Sequence, residues 1–247
     1  KNQVGKNIIN HKTYVLSGDG CLMEGISHEA LSLAGHLKLK NLIMLFDNNS
    51  ISIDGPTSLA VSDNFKKRFE GYGWDYILID GHNEKQIFKA LKKVQKAKKP
   101  TVISCKTIIG YGSPNKSGTA SVHGSPLGKD EVALVRKKLK WNYKPFEIPK
   151  NIMDEWRKIG KKASQKSESK KIKDNKKFKN TKNLSFTKKI QNIIREEKQN
   201  YIKSMEPMAT RKSSEKILNV LTKKIPELIG GSADLAGSNN TKTSNHK

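Results

Sequence analysis

Short apolar runs and helical patterns alternate along the first part of the chain. Residues 13–17 and 41–46 are short, mainly apolar and bounded by polar residues, which predicts two strands. Residues 24–38 carry apolar side chains at helical spacing, namely at Ile26, Ala30, Leu33, Ala34 and Leu37. The pattern therefore predicts a strand, a crossover helix and a second strand that is buried and parallel to the first.

The same alternation recurs further along the chain. Residues 74–79 and 101–105 predict two more strands, and residues 84–97 predict the helix between them. Shorter helices are predicted at 64–69, 129–139 and 151–160. Residues 110–128 form a Gly-, Pro- and Ser-rich loop, and a loop of this length in a compact domain is usually functional or mobile. Together these elements predict an α/β fold with a parallel sheet and helices on both faces.

Polar residues stand at the ends of the first two predicted strands. Gly18-Asp19-Gly20 follows the first strand, and Asn49 follows the second. Because parallel strands end at one edge of the sheet, where ligands of open α/β folds bind, Asp19 and Asn49 are expected to converge. A carboxylate, an amide oxygen and a carbonyl near Ile51 suit a magnesium ion that holds a diphosphate, and Gly20 allows close approach of the backbone. The pairing points to thiamin diphosphate; the alternative is two tight turns without a ligand.

Positive charge is concentrated in the second half of the chain. The 247 residues carry a formal net charge of +25, and only 34% of them are hydrophobic. Between Lys161 and Lys203, 15 Lys or Arg residues stand against four acidic residues. Apolar residues there are too sparse to build a core, which predicts a solvated linker over 161–205 with a short helix near 187–203. This linker would separate residues 1–160 from residues 206–247.

Composition narrows the possible functions. A lysine-rich chain attracts the phosphate backbones of nucleic acids. The sequence, however, shows no zinc-ligand spacing, no basic face interleaved with aromatic residues and no nucleic-acid-binding motif. Specific nucleic-acid binding is therefore the weaker alternative. Cys21 and Cys105 suggest reduced thiols rather than a disulfide framework. No apolar run reaches the length that spans a bilayer and no signal peptide is visible, so a cytoplasmic protein without membrane contact is expected.

Several longer motifs resemble those of transketolase, a thiamin diphosphate enzyme. They are GDGCLMEGISHE at 18–29, SLAGHLKLK at 32–40, ISIDG at 51–55, CKTIIGYGSPNK at 105–116 and GGSADLA at 230–236. The resemblance covers about residues 13–159 and 207–241, and the segment between them is only loosely similar. It implies a diphosphate-binding domain over 1–160 that lacks its beginning. It also implies that residues 206–247 are the truncated start of a second α/β domain, which binds the pyrimidine of the cofactor. The chain therefore resembles an internal fragment of the family's polypeptide.

The resemblance implies a cofactor site. Asp19, Asn49 and the carbonyl of Ile51 would bind Mg²⁺, which Ca²⁺ or Mn²⁺ can replace. Gly20 and Asn49 would also contact the diphosphate, and Asp234 would approach the cofactor.

The resemblance also implies catalytic and substrate-binding residues. His123 matches a histidine that contacts both the cofactor and the sugar, and Arg211 and Ser238 match residues that bind the sugar phosphate. Glu24 matches a glutamate at the subunit interface, near the glutamate that activates the cofactor, and Glu29 belongs to the same carboxylate network. His123 and Glu24 are therefore the predicted catalytic residues.

The activity implied by the resemblance is the reversible transfer of a two-carbon ketol unit from a ketose phosphate to an aldose phosphate in the pentose phosphate pathway. The family builds its site across a homodimer and with residues outside this chain, so the fragment alone is expected to be inactive. Three alternatives stay open: another thiamin diphosphate enzyme, such as a dihydroxyacetone synthase or, with a poorer match, a deoxyxylulose-phosphate synthase; one half of a split transketolase; and a basic nucleic-acid-binding protein.

Overall fold

The computed structural model of the chain describes residues 10–169, 186–225, 228–232 and 234–245. These residues fall into two units, a first unit of Asn10–Asp154 and a second unit that begins at Glu155. Each unit is described by itself. The division of the chain into a first domain, a linker and a second domain stays a prediction.

A four-stranded parallel sheet organises the first unit. Its strands follow the order β1-β2-β6-β5, and the pair β3–β4 forms a small antiparallel hairpin beside it. The strands are β1 (Thr13–Gly18), β2 (Leu42–Asn48), β3 (Ile51–Ser52), β4 (Gly55–Pro56), β5 (Asp75–Asp80) and β6 (Thr101–Lys106). All four strands predicted from the sequence are confirmed, and the parallel α/β fold with them.

The register of the sheet aligns the carboxyl ends of its strands. Gly18 pairs with Asp47 across β1 and β2, and Lys106 pairs with both Asn48 and Asp80. The polar residues that end these strands therefore lie along one edge of the sheet, which is where open α/β folds bind ligands.

Helices cover both faces of the sheet, as the sequence predicted. They are α1 (Asp19–Met23), α2 (Gly25–His36), α3 (Phe65–Gly71) and α4 (Glu84–Val94). Two more helices follow in the sequence, α5 (Lys129–Lys138) and α6 (Lys150–Ser169), and the part of α6 from Glu155 onward belongs to the second unit. One face of the sheet packs against α1, α2 and α3 through Leu22, Leu31, Met44, Phe69 and Val102. The opposite face packs against α4 through Ile43, Ile79, Ala90, Val94 and Ile103. Neighbouring residues such as Ile43 and Met44 point to opposite faces because side chains alternate along a strand.

The helix α2 lies unusually close to the loop that follows α3. A Cβ atom placed on Gly35 would come within 1.7 Å of the carbonyl oxygen of Tyr72, so no larger residue fits here without a shift of the backbone. The indole Nε1 of Trp74 donates a hydrogen bond to the carbonyl oxygen of Leu31 at 2.8 Å, which ties the same loop to α2. These two contacts hold α2 against the loop that leads into β5.

The secondary structure described in the second unit consists of helices. The helix α6 crosses into it and continues to Ser169, nine residues beyond the predicted end at residue 160, because the Lys-, Ala- and Gln-containing sequence that follows has good helix propensity and no proline. The predicted short helix at 187–203 corresponds to α7 (Phe186–Ser204), which is followed by α8 (Thr210–Lys224) and α9 (Ala236–Asn239). The rest of the predicted linker, 170–185, lies outside the described residues.

An ion pair and a hydrogen bond join α7 to α8. Lys224 contacts Glu196 with 3.1 Å between Nζ and Oε2, and the hydroxyl of Tyr201 donates to the carbonyl oxygen of Ser213 at 3.3 Å. Within the described ranges, the structure contains no helix with the length and apolar character required to cross a membrane.

Candidate functional site

The ends of β1 and β2 bring Asp19 and Asn49 together, as the chain order predicted. The Oδ2 atom of Asp19 accepts hydrogen bonds from the backbone N–H of Asn49 at 3.0 Å and from that of Ser50 at 3.1 Å. Asp19 lies in α1, directly after β1, and Asn49 and Ser50 directly follow β2. The crossover geometry of the β1–α2–β2 unit therefore produces this contact between residues 30 positions apart.

The carboxyl group of Asp19 is buried in surroundings that oppose its charge. Its residue is only 4% exposed. Burial raises the pKa of Asp19 above its ordinary value, and the neighbouring carboxylate of Asp47 raises it further, whereas the two backbone hydrogen bonds and Lys106 lower it in part. A divalent cation at this position would stabilise the ionised form of Asp19.

Asn49 closes a tight turn with its own side chain. Its Oδ1 atom accepts a hydrogen bond from the backbone N–H of Ile51 at 2.9 Å, and its Nδ2 lies 3.4 Å from Oδ2 of Asp47. Ser50 between them has a φ angle of 64°, in the left-handed region. The amide oxygen of Asn49 has a second lone pair, so the turn does not remove it as a metal ligand.

The donor set and the free space beside Asp19 fit a magnesium ion with a diphosphate. No group of three or more His, Cys, Asp or Glu side chains comes together among the described residues, so a metal site here depends on amide and carbonyl oxygens as well as carboxylate. Hard oxygen ligands of this mixed kind are the ones that Mg²⁺ prefers when it is shared with phosphates. A Cβ atom on Gly18 or Gly20 would meet nothing within 4 Å, and neither glycine has a positive φ angle. The protein's own packing does not require these glycines, whereas a phosphate group close to the backbone would.

Lys106 is a site residue that sequence reasoning missed. It ends β6, and its Nζ atom lies 3.4 Å from Oδ1 of Asn48 and 3.4 Å from Oγ of Ser50. Next to it, the hydroxyl of Thr107 donates a short hydrogen bond to Oδ1 of Asp47. Lys106 therefore adds a positive charge to the same sheet edge. Its position at the end of a predicted strand was the signal that could have identified it.

The loop that follows β6 is attached to the sheet edge through His82. The ring Nε2 of His82 accepts a hydrogen bond from the backbone N–H of Ile108 at 3.0 Å, and the ring stacks on Tyr111 with 3.9 Å between centroids. Because Nε2 accepts this bond, the ring proton of the neutral imidazole is on Nδ1. Sequence reasoning gave His82 no role.

His123 lies exposed in the middle of this loop. It follows a short 3-10 turn, Ala120–Val122, and its backbone N–H donates to the carbonyl oxygen of Ala120 at 2.9 Å. Among the contacts of the described residues, its ring makes no hydrogen bond to Asp19 or Asn49. The structure thus places His123 in the first unit without joining it to the metal-binding candidates.

Glu24 and Glu29, at the start of α2, are both exposed. Glu24 precedes the first residue of the helix, and Glu29 lies one turn further on. No described contact joins their side chains, so the predicted carboxylate network stays a prediction. The neighbouring His28 instead contacts the hydroxyl of Tyr72, with 3.0 Å between Nδ1 and the oxygen.

Three predicted site residues belong to the second unit. Arg211 lies exposed in the first turn of α8, and Ser238 lies exposed in α9. Asp234 has a φ angle of 63° in the segment before α9. Nearby, Gly230 and Gly231 line a cavity of about 460 Å³ together with Leu218 and Thr222.

Comparison with known proteins identifies the family. Residues 1–198 match the model described as "Transketolase, thiamine diphosphate binding domain". The chain belongs to this transketolase family. The match contains the whole first unit, with Asp19, Asn49 and His123.

Individual transketolases show the same relationship. The chain is 44% identical to a transketolase from Rhodobacter capsulatus, over 97% of the chain and 37% of that protein. It is 47% identical to transketolase 2 from Escherichia coli, over 97% of the chain and 38% of that protein. The chain thus spans less than two-fifths of the length of these curated relatives.

Solved transketolase structures have the same fold. A transketolase from Campylobacter jejuni matches 98% of this chain and 38% of its own with a TM-score of 0.82 and 35% identity. A transketolase from Pichia stipitis in complex with sedoheptulose-7-phosphate matches 94% of this chain and 36% of its own with a TM-score of 0.74 and 33% identity.

Proposed function

We propose that this chain is the diphosphate-binding part of a transketolase that transfers a two-carbon ketol unit from a ketose phosphate to an aldose phosphate. The observation that carries the proposal is the buried Asp19 carboxylate, held by the backbone of Asn49 and Ser50 at the carboxyl edge of the sheet. The family match and the relatives named transketolase support the activity. The sugar phosphate in the Pichia stipitis transketolase supports the substrate class.

In this proposal, the chain holds a magnesium ion and the diphosphate of thiamin diphosphate. Asp19, Asn49 and the carbonyl of Ile51 bind the ion, and the backbone at Gly20 and the side chain of Asn49 contact the diphosphate. Lys106, at the same edge, balances negative charge. When bound, thiamin diphosphate supplies the nucleophilic carbon that carries the two-carbon unit.

Other residues bind the sugar. His123 is proposed to donate hydrogen bonds to the substrate hydroxyls and to the oxygen that gains negative charge in the transition state. Arg211 and Ser238 suit the sugar phosphate, because a guanidinium and a hydroxyl bind phosphate oxygens well. Asp234 approaches the cofactor, and Glu24, with Glu29, acts at the subunit interface.

The proposed enzyme is a cytoplasmic homodimer of the pentose phosphate pathway whose site is completed by parts of the polypeptide beyond this chain. Its relatives are more than twice as long as the match. The 247-residue chain alone is therefore expected to lack activity.

A coupled assay tests the proposed activity. The polypeptide that contains this chain is given xylulose 5-phosphate and ribose 5-phosphate, with thiamin diphosphate and Mg²⁺ present together, singly or not at all. We expect turnover only when both are present. Turnover that is independent of thiamin diphosphate would contradict the proposal, as would transfer to formaldehyde but not to an aldose phosphate.

A further inference from the structure

Glu131 is a buried carboxylate to which the proposed function assigns no role. It lies in the first turn of α5 and is only 7% exposed. Its Oε1 atom accepts a short hydrogen bond from the hydroxyl of Ser113 and one of 2.9 Å from the backbone N–H of Asn115. Its Oε2 atom accepts a third, from Nδ2 of Asn115 at 2.9 Å. The hydroxyl of Ser113 and the two N–H groups of Asn115 hold the pKa of Glu131 below its ordinary value, so the group is ionised at neutral pH.

The residues that Glu131 holds form the base of the loop that carries His123. The hydroxyl oxygen of Ser113 also accepts a hydrogen bond from the backbone N–H of Lys116 at 3.1 Å. The Nζ atom of Lys116 donates to the carbonyl oxygen of Leu127 at 2.8 Å, which bridges the two ends of residues 116–127. A chain of hydrogen bonds therefore runs from Glu131 through Ser113 and Lys116 to both ends of the segment that contains His123.

We propose that Glu131 is a positioning residue that fixes the His123 loop before substrate binds. The proposal rests on the proposed function, in which His123 contacts the cofactor and the sugar. Through its hydrogen bonds to Ser113 and Asn115, and through Ser113 to Lys116, the carboxylate restricts residues 113–127 to one conformation. Preorganisation of this kind lowers the entropy cost of placing a catalytic group against its substrate.

A simple helix-terminus effect does not account for these contacts. An acidic side chain in the first turn of a helix is favourable whichever loop it faces. Asp130 occupies the same turn of α5, but it is exposed, and no described contact joins it to the loop. Asp130→Asn is therefore a matched control that removes a carboxylate from the same turn without touching the loop.

The test uses the intact polypeptide that contains this chain, with the variants Glu131→Gln, Glu131→Asp, Asn115→Ala and Asp130→Asn. Amide hydrogen exchange over residues 110–128 is measured without cofactor, and kcat, KM and Mg²⁺-dependent cofactor affinity are measured separately. Glutamine offers one acceptor oxygen where three donors converge, so Glu131→Gln is expected to speed exchange in the loop. We expect it to lower kcat/KM for the ketose phosphate about 10–100-fold while cofactor affinity is retained.

The conservative and control variants separate positioning from general damage. Glu131→Asp, which keeps the charge, should recover part of both effects, and Asp130→Asn should show neither. If Glu131→Gln does not fold, Asn115→Ala should show the same pattern at smaller amplitude, because it removes only one of the three donors.

Three results would overturn the proposal: unchanged exchange in the loop, faster exchange with unchanged kcat/KM, or equal effects from Asp130→Asn. Absence of two-carbon transfer in the wild-type protein would instead reject the proposed function, and with it the catalytic part of this proposal. The exchange measurement would still decide whether Glu131 fixes the loop.

Discussion

The ionised form of Asp19 destabilises the folded protein, yet the same residue is the proposed ligand of the metal ion. Burial and Asp47 raise the pKa of Asp19, and the backbone hydrogen bonds from Asn49 and Ser50 do not fully offset them. Because the native pKa lies above the ordinary value of 3.8, the folded protein binds more protons than the unfolded chain between these two values. The contribution of Asp19 to stability therefore falls as the pH rises through that window. Residues that lower the stability of the fold but serve in binding are typical of functional sites.

We predict that Asp19→Asn stabilises the cofactor-free protein at pH 7. Asparagine removes the buried charge, and its Oδ1 atom can still accept the hydrogen bonds from Asn49 and Ser50. Differential scanning calorimetry should give the variant a higher unfolding midpoint than the wild type at pH 7, with a smaller difference near pH 4. Addition of Mg²⁺ and thiamin diphosphate should then raise the midpoint of the wild type only. An equal rise in both proteins would refute the role given to Asp19.

The contact between Asp19 and Asn49 could be predicted from the order of elements along the chain. The contacts of Lys106, His82 and Glu131 could not. The first contact needs only two parallel strands and the crossover rule. Lys106 meets Asn48 at a separation of 58 residues, and His82 meets Ile108 at a separation of 26. Such contacts depend on which strands become neighbours in the sheet, and the order β1-β2-β6-β5 is not encoded in any local pattern.

At the scale of elements, the strands were the easiest to predict and the helix ends the hardest. Each buried strand is an apolar run bounded by polar residues, so β2 and β6 followed directly from the sequence. The short helix α1 was missed because Asp19–Met23 is too brief to show a helical period. The position of α2 depends on the close approach of Gly35 to Tyr72, and the pattern of apolar residues in the sequence does not predict this contact.

We predict that Gly35→Ala destabilises the protein by about 2–4 kcal/mol. The added methyl group would overlap the carbonyl oxygen of Tyr72, and the packing of α2 on the loop before β5 would have to shift. Gly25→Ala is the matched control on the same helix, because its Cβ would meet nothing within 4 Å. Urea unfolding followed by tryptophan fluorescence measures the stability of both variants. A loss below about 0.5 kcal/mol for Gly35→Ala would contradict this packing.

A second prediction concerns the attachment of the loop after β6. His82→Phe keeps an aromatic ring for stacking on Tyr111 but removes the acceptor for the N–H of Ile108. A lost hydrogen bond of this kind costs about 0.5–1.5 kcal/mol, so the amide of Ile108 should exchange roughly 2–10-fold faster. The amide of Ser113, which bonds to the carbonyl oxygen of Gly110, is the internal reference. Unchanged exchange at Ile108 would show that His82 does not hold the loop.

At the scale of the whole molecule, β1 is an edge strand with exposed apolar side chains. Leu16 is 81% exposed, and Tyr14 and Val15 are exposed as well. All-parallel sheets are normally covered on both faces, and open apolar edges promote association. The net charge of +25 opposes association, but a surplus of 11 positive charges lies between Lys161 and Lys203, far from this edge in the sequence.

We predict that the isolated 247-residue chain self-associates and binds a hydrophobic dye, and that Leu16→Glu reduces both. A charge on an exposed edge residue disfavours edge-to-edge pairing. Leu59→Glu is the comparison, because Leu59 is similarly exposed but lies in a short 3-10 turn and not in the edge strand. Light scattering at several concentrations measures the effect. An equal reduction by both variants would contradict the role of β1, because it would show that the change in net charge alone reduces association.

The most direct test of the account is a calorimetric titration of thiamin diphosphate into the intact polypeptide with and without Mg²⁺. The wild type and Asp75→Ala, which removes an exposed carboxylate at the opposite end of the sheet, should bind the cofactor in a Mg²⁺-dependent manner. Partners outside the first coordination shell typically contribute about 10–100-fold to metal affinity, so loss of a direct ligand in Asp19→Ala should weaken binding at least about 100-fold. Equal affinity in Asp19→Ala and the wild type would contradict the site proposed at the ends of β1 and β2.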